Sequence, residues 1–378
     1  MKKTKLLIVV NELWFFYSHR LPLALGALKE GFDVYIIANG DKDLEKKVSS
    51  LGLKFREVPF SRSSINPFKE FRVLISLFRI YRKIAPDITH HVTIKPIIYG
   101  GIAARIVKTK SVVNSISGLG HVFISQGFVS KVRKAIVKTL YRNLFKHDNV
   151  RAILQNPEER EILSNYNIIG FDRSFLIRGA GVDLETFFPV VEPPGPVVVT
   201  LAARMIWEKG VGVYIDAIKI LKNKGIKAKF ILAGGVDYDY PGFIKKSVLD
   251  NWHESGVVTW VGHHNNVSKL YQESHIVCLP SFYSEGVPKS LIEAAACGRP
   301  IVTTDKPGCR EIVIDNFNGL LVRPCDAESL AHALEILIKN KNLRIKYGKN
   351  GRQLASDDFE VGSVVKSTLN VYADVMHS

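Results

Sequence analysis

The chain has 378 residues, of which 46% are hydrophobic and 23% are charged, so it suits two globular domains and excludes disordered and collagen-like classes. Its formal charge of +16 is uneven, because residues 1–190 hold 30 Lys and Arg against 16 Asp and Glu, whereas residues 191–378 hold 22 against 20. This asymmetry predicts that the first half faces an anionic partner, either a membrane surface, a phosphorylated substrate or nucleic acid.

The first apolar run, Leu6–Val10, follows three lysines but ends after five residues. It is therefore predicted to be a buried strand rather than a signal peptide, and no other segment approaches the ~20 apolar residues of a spanning helix. The cysteines all lie in the second half, at Cys278, Cys297, Cys309 and Cys325. Their spacing does not suit zinc, so they are predicted to be reduced thiols of a cytosolic protein.

Short β-branched apolar runs alternate with helical stretches along the chain. In the first half these runs are Leu6–Val10, Val34–Ala38, Ser111–Ser115 and Ala152–Leu154. In the second half they are Val197–Ala202, Lys229–Ala233, Val257–Val261, Ile276–Leu279 and Ile301–Thr303. Such nearly continuous apolar strands predict an α/β fold with parallel sheets covered by helices on both faces.

Two stretches of the first half are basic and amphipathic. Pro67–Pro86 sets apolar residues at helical spacing against basic ones, and Lys131–Lys146 carries six basic residues and no acidic residue. The apolar positions of the first stretch are Phe71, Leu74, Ile75, Phe78 and Tyr81. These stretches are either ordinary surface helices with apolar faces in the core or helices that dock on anionic lipid. Nucleic acid is not expected as a partner, because no nucleic-acid-binding motif accompanies the charge.

A proline-rich segment separates the two halves. Four prolines occur between Pro189 and Pro196, which precludes a helix or a central strand there. The domain boundary is therefore predicted after Pro189. Two doubly wound domains joined in this way are expected to leave a ligand-binding cleft at the carboxyl ends of their strands.

The strongest candidate site follows the strand Ile276–Leu279. A turn with Gly286 leads through Pro288 into a helix, whose free N–H groups and dipole favour a diphosphate. Glu285 and Glu293 are about two helical turns apart, so each carboxylate can accept hydrogen bonds from hydroxyl groups at a different end of one extended ligand.

A second candidate site, Arg204 and Lys209, follows the strand Val197–Ala202 and precedes Gly210. Each motif alone is typical of a solvated surface, but their order and spacing together favour a site. Two cations here would neutralise the charge on a departing nucleoside diphosphate, which is work that a divalent metal does in other enzymes. We therefore expect no catalytic metal and no cofactor.

These motifs resemble those of the retaining glycosyltransferases of family four, whose GT-B fold pairs two Rossmann-like domains. The E-x7-E motif of that family matches Glu285 and Glu293, and its R-x4-K pair matches Arg204 and Lys209. The resemblance implies that Glu285 contacts the donor sugar, that Glu293 contacts the ribose, and that the two cations bind the diphosphate. The implied catalytic residues are Arg204, Lys209 and Glu285, and the implied donor-binding residues are Gly286, Val287, Pro288 and Glu293.

The resemblance also implies the mechanism and the domain roles. Substitution would take place on the front face with retention, and the leaving phosphate would help deprotonate the incoming hydroxyl. Residues 1–189 would bind the acceptor, residues 190–355 would bind the nucleotide sugar, and residues 356–378 would form a helix that crosses back to the N-terminal domain.

Within the family, the chain is most similar to bacterial enzymes that add an α-linked N-acetylhexosamine to a sugar on undecaprenyl diphosphate. The shared segments are Phe60–Phe68, Gly118–Gly120, Gln126–Phe128 and Ala203–Val211. This similarity implies a UDP-sugar donor, with GalNAc as the best guess, and a polyprenyl-diphosphate-linked glycan as acceptor in O-antigen, capsule or glycan assembly. It also implies a cytoplasmic enzyme, peripheral on the inner face of the plasma membrane. The alternatives are a soluble or phospholipid acceptor and a non-catalytic nucleotide-binding protein.

The acceptor side departs from the family pattern, because aromatic residues fill Asn11–His19, where many relatives have a glycine-rich turn. Four basic residues near the predicted carboxyl ends of N-terminal strands are candidates for the acceptor diphosphate, namely His19, Arg20, Arg62 and Lys95. Each is alternatively an ordinary surface or core residue. Three histidines are further polar candidates in the expected cleft, and the alternative for each is a structural role: His90, His91 and His121.

Overall fold

The computed structural model describes residues 3–61, 66–118, 128–283 and 286–378. Contacts divide the chain into unit 1, which comprises Met1–Ala180 and Val361–Ser378, and unit 2, which comprises Gly181–Glu360. The chain thus enters unit 2 before the boundary that the prolines suggested. It does so because the N–H of Val182 donates to the carbonyl of Phe359 at 2.8 Å, within unit 2.

Unit 1 contains a parallel sheet whose described strands lie in the order β3-β2-β1-β4-β5-β6-β7. These strands are β1 (Lys5–Glu12), β2 (Asp33–Asn39), β3 (Lys54–Glu57), β4 (Ile88–Val92), β5 (Ser111–Ile116), β6 (Val150–Leu154) and β7 (Ser174–Leu176). Its described helices are α1 (Leu13–His19), α2 (Leu21–Lys29), α3 (Lys42–Ser50), α4 (Pro67–Ile84), α5 (Ile94–Ile106), α6 (Phe128–Phe145) and α7 (Pro157–Asn165). The sequence order of the strands reverses between β1 and β4, which makes that pair the switch point of a doubly wound sheet.

Helices cover both faces of this sheet, as the continuous apolar strands predicted. Leu7 and Val9 of β1 belong to the core under α4, α5 and α6, while Leu6 and Ile8 belong to the core on the other face. The second core is completed by the last helix of the chain, α15 (Val361–His377), which packs against α2 and β5. Unit 1 is therefore built from two segments that are distant in the sequence.

The central strand β4 was missed in the sequence because polar residues interrupt its apolar pattern. His90 and His91 are nevertheless fully buried. The ring of His90 forms hydrogen bonds of 2.6 Å with Tyr372 and with Ser115. The ring of His91 forms hydrogen bonds of 2.8 Å with Tyr81 and with Asn114. Because four side chains satisfy them inside the fold, both histidines have the structural role that was the alternative to a place in the cleft.

Burial of the two histidines predicts an acid-sensitive fold. Desolvation lowers the pKa of His91 to about 4 and the pKa of His90 well below 6.5. The neutral ring of His91 therefore contributes stability that is present above about pH 6.5 and is lost as the pH falls toward about 4. Between about pH 7 and pH 5, we expect His91 to account for a loss of about 2 kcal/mol in the free energy of unfolding.

Urea unfolding at both pH values measures this loss. A His91→Gln variant, which has no titrating ring, should be less stable than the wild type at neutral pH but lose less stability on acidification. An equal loss in both proteins would contradict the assignment.

Helix α4 presents a different apolar face from the one its pattern suggested. The side chains that it buries are Val73, Leu77, Tyr81 and Ile84. Phe71, which a core-facing helix was expected to bury, is 62% exposed, and Phe68 one turn earlier is 81% exposed. The apolar residues of this segment could form either of two adjacent faces of the helix. The face centred on Leu77 is the one that packs against the sheet.

Unit 2 contains a second parallel sheet, with its described strands in the order β10-β9-β8-β11-β12-β13. These strands are β8 (Val198–Ala202), β9 (Lys229–Ala233), β10 (Thr259–Trp260), β11 (Ile276–Leu279), β12 (Ile301–Thr304) and β13 (Gly319–Val322). The helices described in this unit are α8 (Val211–Asn223), α9 (Lys246–Glu254), α10 (Val267–Gln272), α11 (Lys289–Ala296), α12 (Pro307–Arg310), α13 (Ala327–Lys339) and α14 (Lys341–Asp358). The switch point lies between β8 and β11, where ligands of such sheets bind.

In the described part of the chain, every helix is too short or too polar to cross a bilayer.

Candidate active site

Two loops meet at the switch point of unit 2. The loop after β8 carries Arg204 and Lys209, and the loop after β11 leads to α11. The carbonyl of Glu208 accepts hydrogen bonds from the N–H groups of Phe282 at 3.0 Å and Tyr283 at 3.2 Å. The fold therefore brings together the two motifs that the sequence singled out, although they are about 75 residues apart in the sequence.

Gly210 allows this close approach. It adopts a left-handed conformation with φ of 76°, and a Cβ atom at this position would lie 2.0 Å from the carbonyl oxygen of Pro280 in the facing loop. Only glycine combines that backbone conformation with such a contact. The close approach of the two loops thus requires glycine at position 210, directly after Lys209.

Arg204 lies just beyond the end of β8, with its side chain about one-third exposed. Its Nη1 atom donates to Oδ2 of Asp237 at 2.6 Å, and its guanidinium carbon lies 5.5 Å from the ring centroid of Tyr240. Asp237 thus holds one edge of the planar guanidinium, and Tyr240 lies against one face. The remaining N–H groups are therefore kept oriented, which suits recognition of a diphosphate.

Lys209 ends a short 3-10 helix that begins at Trp207. Its Nζ atom lies 6.0 Å from the ring centroid of Tyr283, so the ammonium group is directed toward the loop after β11. Arg204 and Lys209 therefore flank the same switch point, and together they provide two positive charges for an anionic ligand.

The loop after β11 leads into α11, as the sequence indicated. Gly286, Val287 and Pro288 are buried, and Pro288 is the N-cap of the helix with φ of −65°. Glu293 is buried in the second turn, where its Oε1 atom lies 3.2 Å from Nζ of Lys289. Burial raises the pKa of the Glu293 carboxyl, and the adjacent Lys289 opposes that shift.

Glu285, the predicted sugar-contacting residue, lies outside the described residues, as do Arg62 and His121. Their roles stay predictions. Among the residues that the structure does describe, no three or more His, Cys, Asp or Glu side chains are grouped so that they could hold a metal ion.

The remaining acceptor candidates lie in unit 1. Arg20, at the end of α1, is buried, and burial lowers its pKa to about 10. Its Nη2 atom is 3.5 Å from Oγ of Ser117, and its Nε atom has no hydrogen-bond partner in the described structure. His19 stacks on Phe15 with ring centroids 4.4 Å apart.

Lys95 is committed to contacts within unit 1. Its Nζ atom lies 2.7 Å from Oε1 of Glu70 and 2.7 Å from the carbonyl of Ser61. A partly buried lysine with a carboxylate partner has little free charge for a second anion. The acceptor roles of His19, Arg20 and Lys95 stay predictions.

Sequence reasoning missed Asp237 and Tyr240, which follow β9 and contact Arg204. The strand Lys229–Ala233 was predicted correctly, but nothing in the sequence indicated that β9 neighbours β8. With that neighbour known, a carboxylate four residues beyond the strand would have been a candidate for the loop after β8.

Two doubly wound parallel sheets, one in each unit, are the architecture of the GT-B fold. A solved glycosyltransferase from Rickettsia africae has the same fold, with a TM-score of 0.78 and 20% identity over 100% of this chain and 99% of that one. Residues 5–156 match the family model described as glycosyl transferase 4-like, and residues 183–354 match the model described as glycosyl transferases group 1. The chain thus contains one segment similar to each of these two glycosyltransferase families.

Two curated relatives match nearly the whole chain. The N,N'-diacetylbacillosaminyl-diphospho-undecaprenol alpha-1,3-N-acetylgalactosaminyltransferase of Campylobacter jejuni is 28% identical over 95% of this chain and 96% of its own length. The UDP-Gal:alpha-D-GlcNAc-diphosphoundecaprenol alpha-1,3-galactosyltransferase of Escherichia coli is 26% identical over 92% of this chain and 90% of its own length. Both relatives act on sugars linked to undecaprenyl diphosphate, as their names state.

Proposed function

We propose that this glycosyltransferase transfers a sugar, with retention, from a UDP-sugar to a sugar carried on undecaprenyl diphosphate. The observation that carries the proposal is the meeting of the Arg204–Lys209 loop with the loop before α11 at one switch point. The names of the two full-length relatives support a lipid-linked acceptor. An α-linked GalNAc is the donor sugar we favour, because the Campylobacter relative transfers it.

In this proposal, each residue acts on one part of the donor. Arg204 and Lys209 bind the diphosphate and offset the negative charge that develops as UDP leaves, so no divalent metal is needed. Glu293 accepts hydrogen bonds from the ribose hydroxyls, and Glu285 accepts them from the donor sugar. The leaving phosphate takes the proton of the incoming hydroxyl, so the enzyme supplies no covalent nucleophile.

A direct assay tests the proposal. The purified chain is incubated in EDTA with UDP-GalNAc, UDP-GlcNAc, UDP-galactose or UDP-glucose and a short-chain prenyl-diphosphate-linked GalNAc or GlcNAc. Mass spectrometry should show a lipid product heavier by one sugar, and NMR of its anomeric proton should show the α-configuration. A β-linked product would refute retention, and a requirement for added Mg²⁺ or Mn²⁺ would refute the metal-free mechanism.

Two alternatives are separated by the same assay. If the chain transfers sugar only to a soluble sugar or to a phospholipid such as phosphatidylinositol, the proposed donor site stands and the proposed acceptor is wrong. Tight nucleotide binding with no product on any acceptor would indicate a non-catalytic binding protein.

We also propose that unit 1 docks on the anionic inner face of the plasma membrane through the start of α4. Phe68 and Phe71 are exposed on adjacent turns, and Lys69 and Arg72 beside them are also exposed. Aromatic rings next to basic side chains match the chemistry of an anionic bilayer surface, because the rings enter the interface while the cations meet the headgroups. The excess of basic residues in the first half favours the same partner.

Replacing Phe68 and Phe71 together by serine should lower binding to vesicles that contain phosphatidylglycerol by about 30-fold, since burial of each ring contributes on the order of 1 kcal/mol at an interface. Vesicle flotation measures the bound fraction. Phe171→Ser, which removes another half-exposed ring of unit 1, is the matched control and should bind like the wild type. Equal binding by the double variant would refute this docking surface.

A further inference from the structure

The segment Gly234–Ile244, here called the bracing loop, lies against the loop that carries Arg204. The N–H of Met205 donates to the carbonyl of Gly235 at 3.1 Å, and the N–H of Ile244 donates to the carbonyl of Met205 at 2.9 Å. A Cβ atom on Gly234 would lie only 1.7 Å from the carbonyl oxygen of Ala203. The two loops therefore pair through their backbones on both sides of Met205.

Two side chains of the bracing loop contact the guanidinium of Arg204 from different directions. Asp237 binds its edge at 2.6 Å, and the ring of Tyr240 lies 5.5 Å from its carbon. Asp237 is the more buried partner of the ion pair, with its side chain 14% exposed. A partly buried carboxylate anchored on a backbone-paired loop restricts the rotamers of a long, flexible arginine.

Tyr240 also links the two cations of the donor site. Its hydroxyl donates to Oε1 of Glu208 at 3.3 Å, and Glu208 directly precedes Lys209. The carbonyl of Glu208 in turn holds the loop after β11 through Phe282 and Tyr283. The ring of Tyr240 thus lies near Arg204, and its hydroxyl group contacts Glu208, the residue that precedes Lys209.

We propose that Asp237 and Tyr240 are positioning residues of the donor site, which act through Arg204 to orient its guanidinium toward a nucleoside diphosphate. This inference rests on the proposed function and adds to it a partner for the catalytic arginine. An arginine ordered before the ligand arrives loses less conformational entropy on binding, so the brace raises affinity for the diphosphate. Neither Asp237 nor Tyr240 is proposed to contact the reacting atoms.

A double-mutant cycle on UDP binding tests whether Asp237 acts through Arg204. Calorimetry on the purified full chain should show that Asp237→Asn weakens UDP binding about tenfold, as expected for loss of a charge-assisted hydrogen bond. In an Arg204→Ala background, the same change should cause no loss and should relieve the repulsion between the unpaired Asp237 carboxylate and the diphosphate. Asp239→Asn is the matched control, since it removes the same charge from an exposed position of the same loop and should bind UDP like the wild type.

Tyr240 is separated from Asp237 by two substitutions. Tyr240→Phe keeps the ring over Arg204 and should retain most of the affinity, whereas Tyr240→Leu removes the ring and should weaken UDP binding by several-fold. Thermal unfolding of each variant identifies any that are merely misfolded.

Each outcome of the cycle decides the inference. Equal losses in both backgrounds would show that Asp237 acts on the fold and not through Arg204, which overturns the proposal. Tighter binding by Asp237→Asn would also overturn it, because Asp237 would then compete with the diphosphate. If the wild type binds none of UDP, GDP and ADP, the proposed function itself fails, whereas wild-type binding with an unaffected Asp237→Asn variant refutes the positioning role alone.

Discussion

Arg204→Ala should lower kcat/KM for sugar transfer by about 10²- to 10³-fold, which is the usual effect of removing a charge-stabilising donor from an active site. The guanidinium would no longer offset the charge on departing UDP. In addition, the carboxylate of Asp237, which Arg204 binds at 2.6 Å, would be left next to the bound diphosphate. Both effects act in the same direction, so this substitution has the largest expected effect on activity.

Steady-state kinetics of the variant and its thermal unfolding together test this expectation. The fold should be little affected, since the Arg204 side chain is about one-third exposed and such ion pairs contribute at most about 1 kcal/mol. Arg204→Lys, which keeps the charge without the planar fork, should have intermediate activity. Arg323→Ala, which breaks an exposed ion pair of 2.7 Å elsewhere in unit 2, is the control. Wild-type activity in Arg204→Ala would refute the donor-site assignment.

Gly210→Ala should destabilise the fold by roughly 3 kcal/mol. The left-handed backbone costs about 1–2 kcal/mol for alanine, and the new methyl group would lie 2.0 Å from the carbonyl oxygen of Pro280, which adds about 1–3 kcal/mol of overpacking. The clash cannot relax through a rotamer, because its partner is a backbone atom. The loops that hold Arg204 and Lys209 would have to separate, so transfer should also decrease.

Gly225→Ala isolates the steric part of this cost. Gly225 has nearly the same backbone conformation, with φ of 74°, but a Cβ atom added to it would have nothing within 4 Å. It should lose only about 1 kcal/mol in urea unfolding and keep full activity. If both variants lose the same stability, the close approach of the two loops at Gly210 is not what stabilises the site.

The sequence predicted the elements of the donor site better than their neighbours. Lys229–Ala233 and Ile276–Leu279 were predicted with the bounds that the structure shows, because apolar β-branched runs between turn residues are the strongest local signal for buried strands. The pairing of β8 with β11 is a non-local property that no local pattern encodes. The structure shows this pairing, and it shows that the loops after the two strands meet through Glu208.

The sequence left roles open for residues whose partners are distant. It offered both a cleft role and a structural role for His90 and His91, and the structure shows the structural role through partners such as Tyr372, 282 residues from His90. It left the buried face of α4 open, because hydrophobic periodicity alone does not choose between adjacent helix faces. It gave no sign of the partner of Lys95, because Glu70 lies 25 residues away in the sequence.

The return of α15 to unit 1 has a consequence for biosynthesis. Translation proceeds from the N-terminus, so the whole of Gly181–Glu360 is synthesised while the second core of unit 1 still lacks Val371 and Tyr372. The nascent N-terminal segment must wait, with apolar surface uncovered and His90 without its Tyr372 partner, until α15 leaves the ribosome. Completion of unit 1 thus depends on prior synthesis of the whole of unit 2.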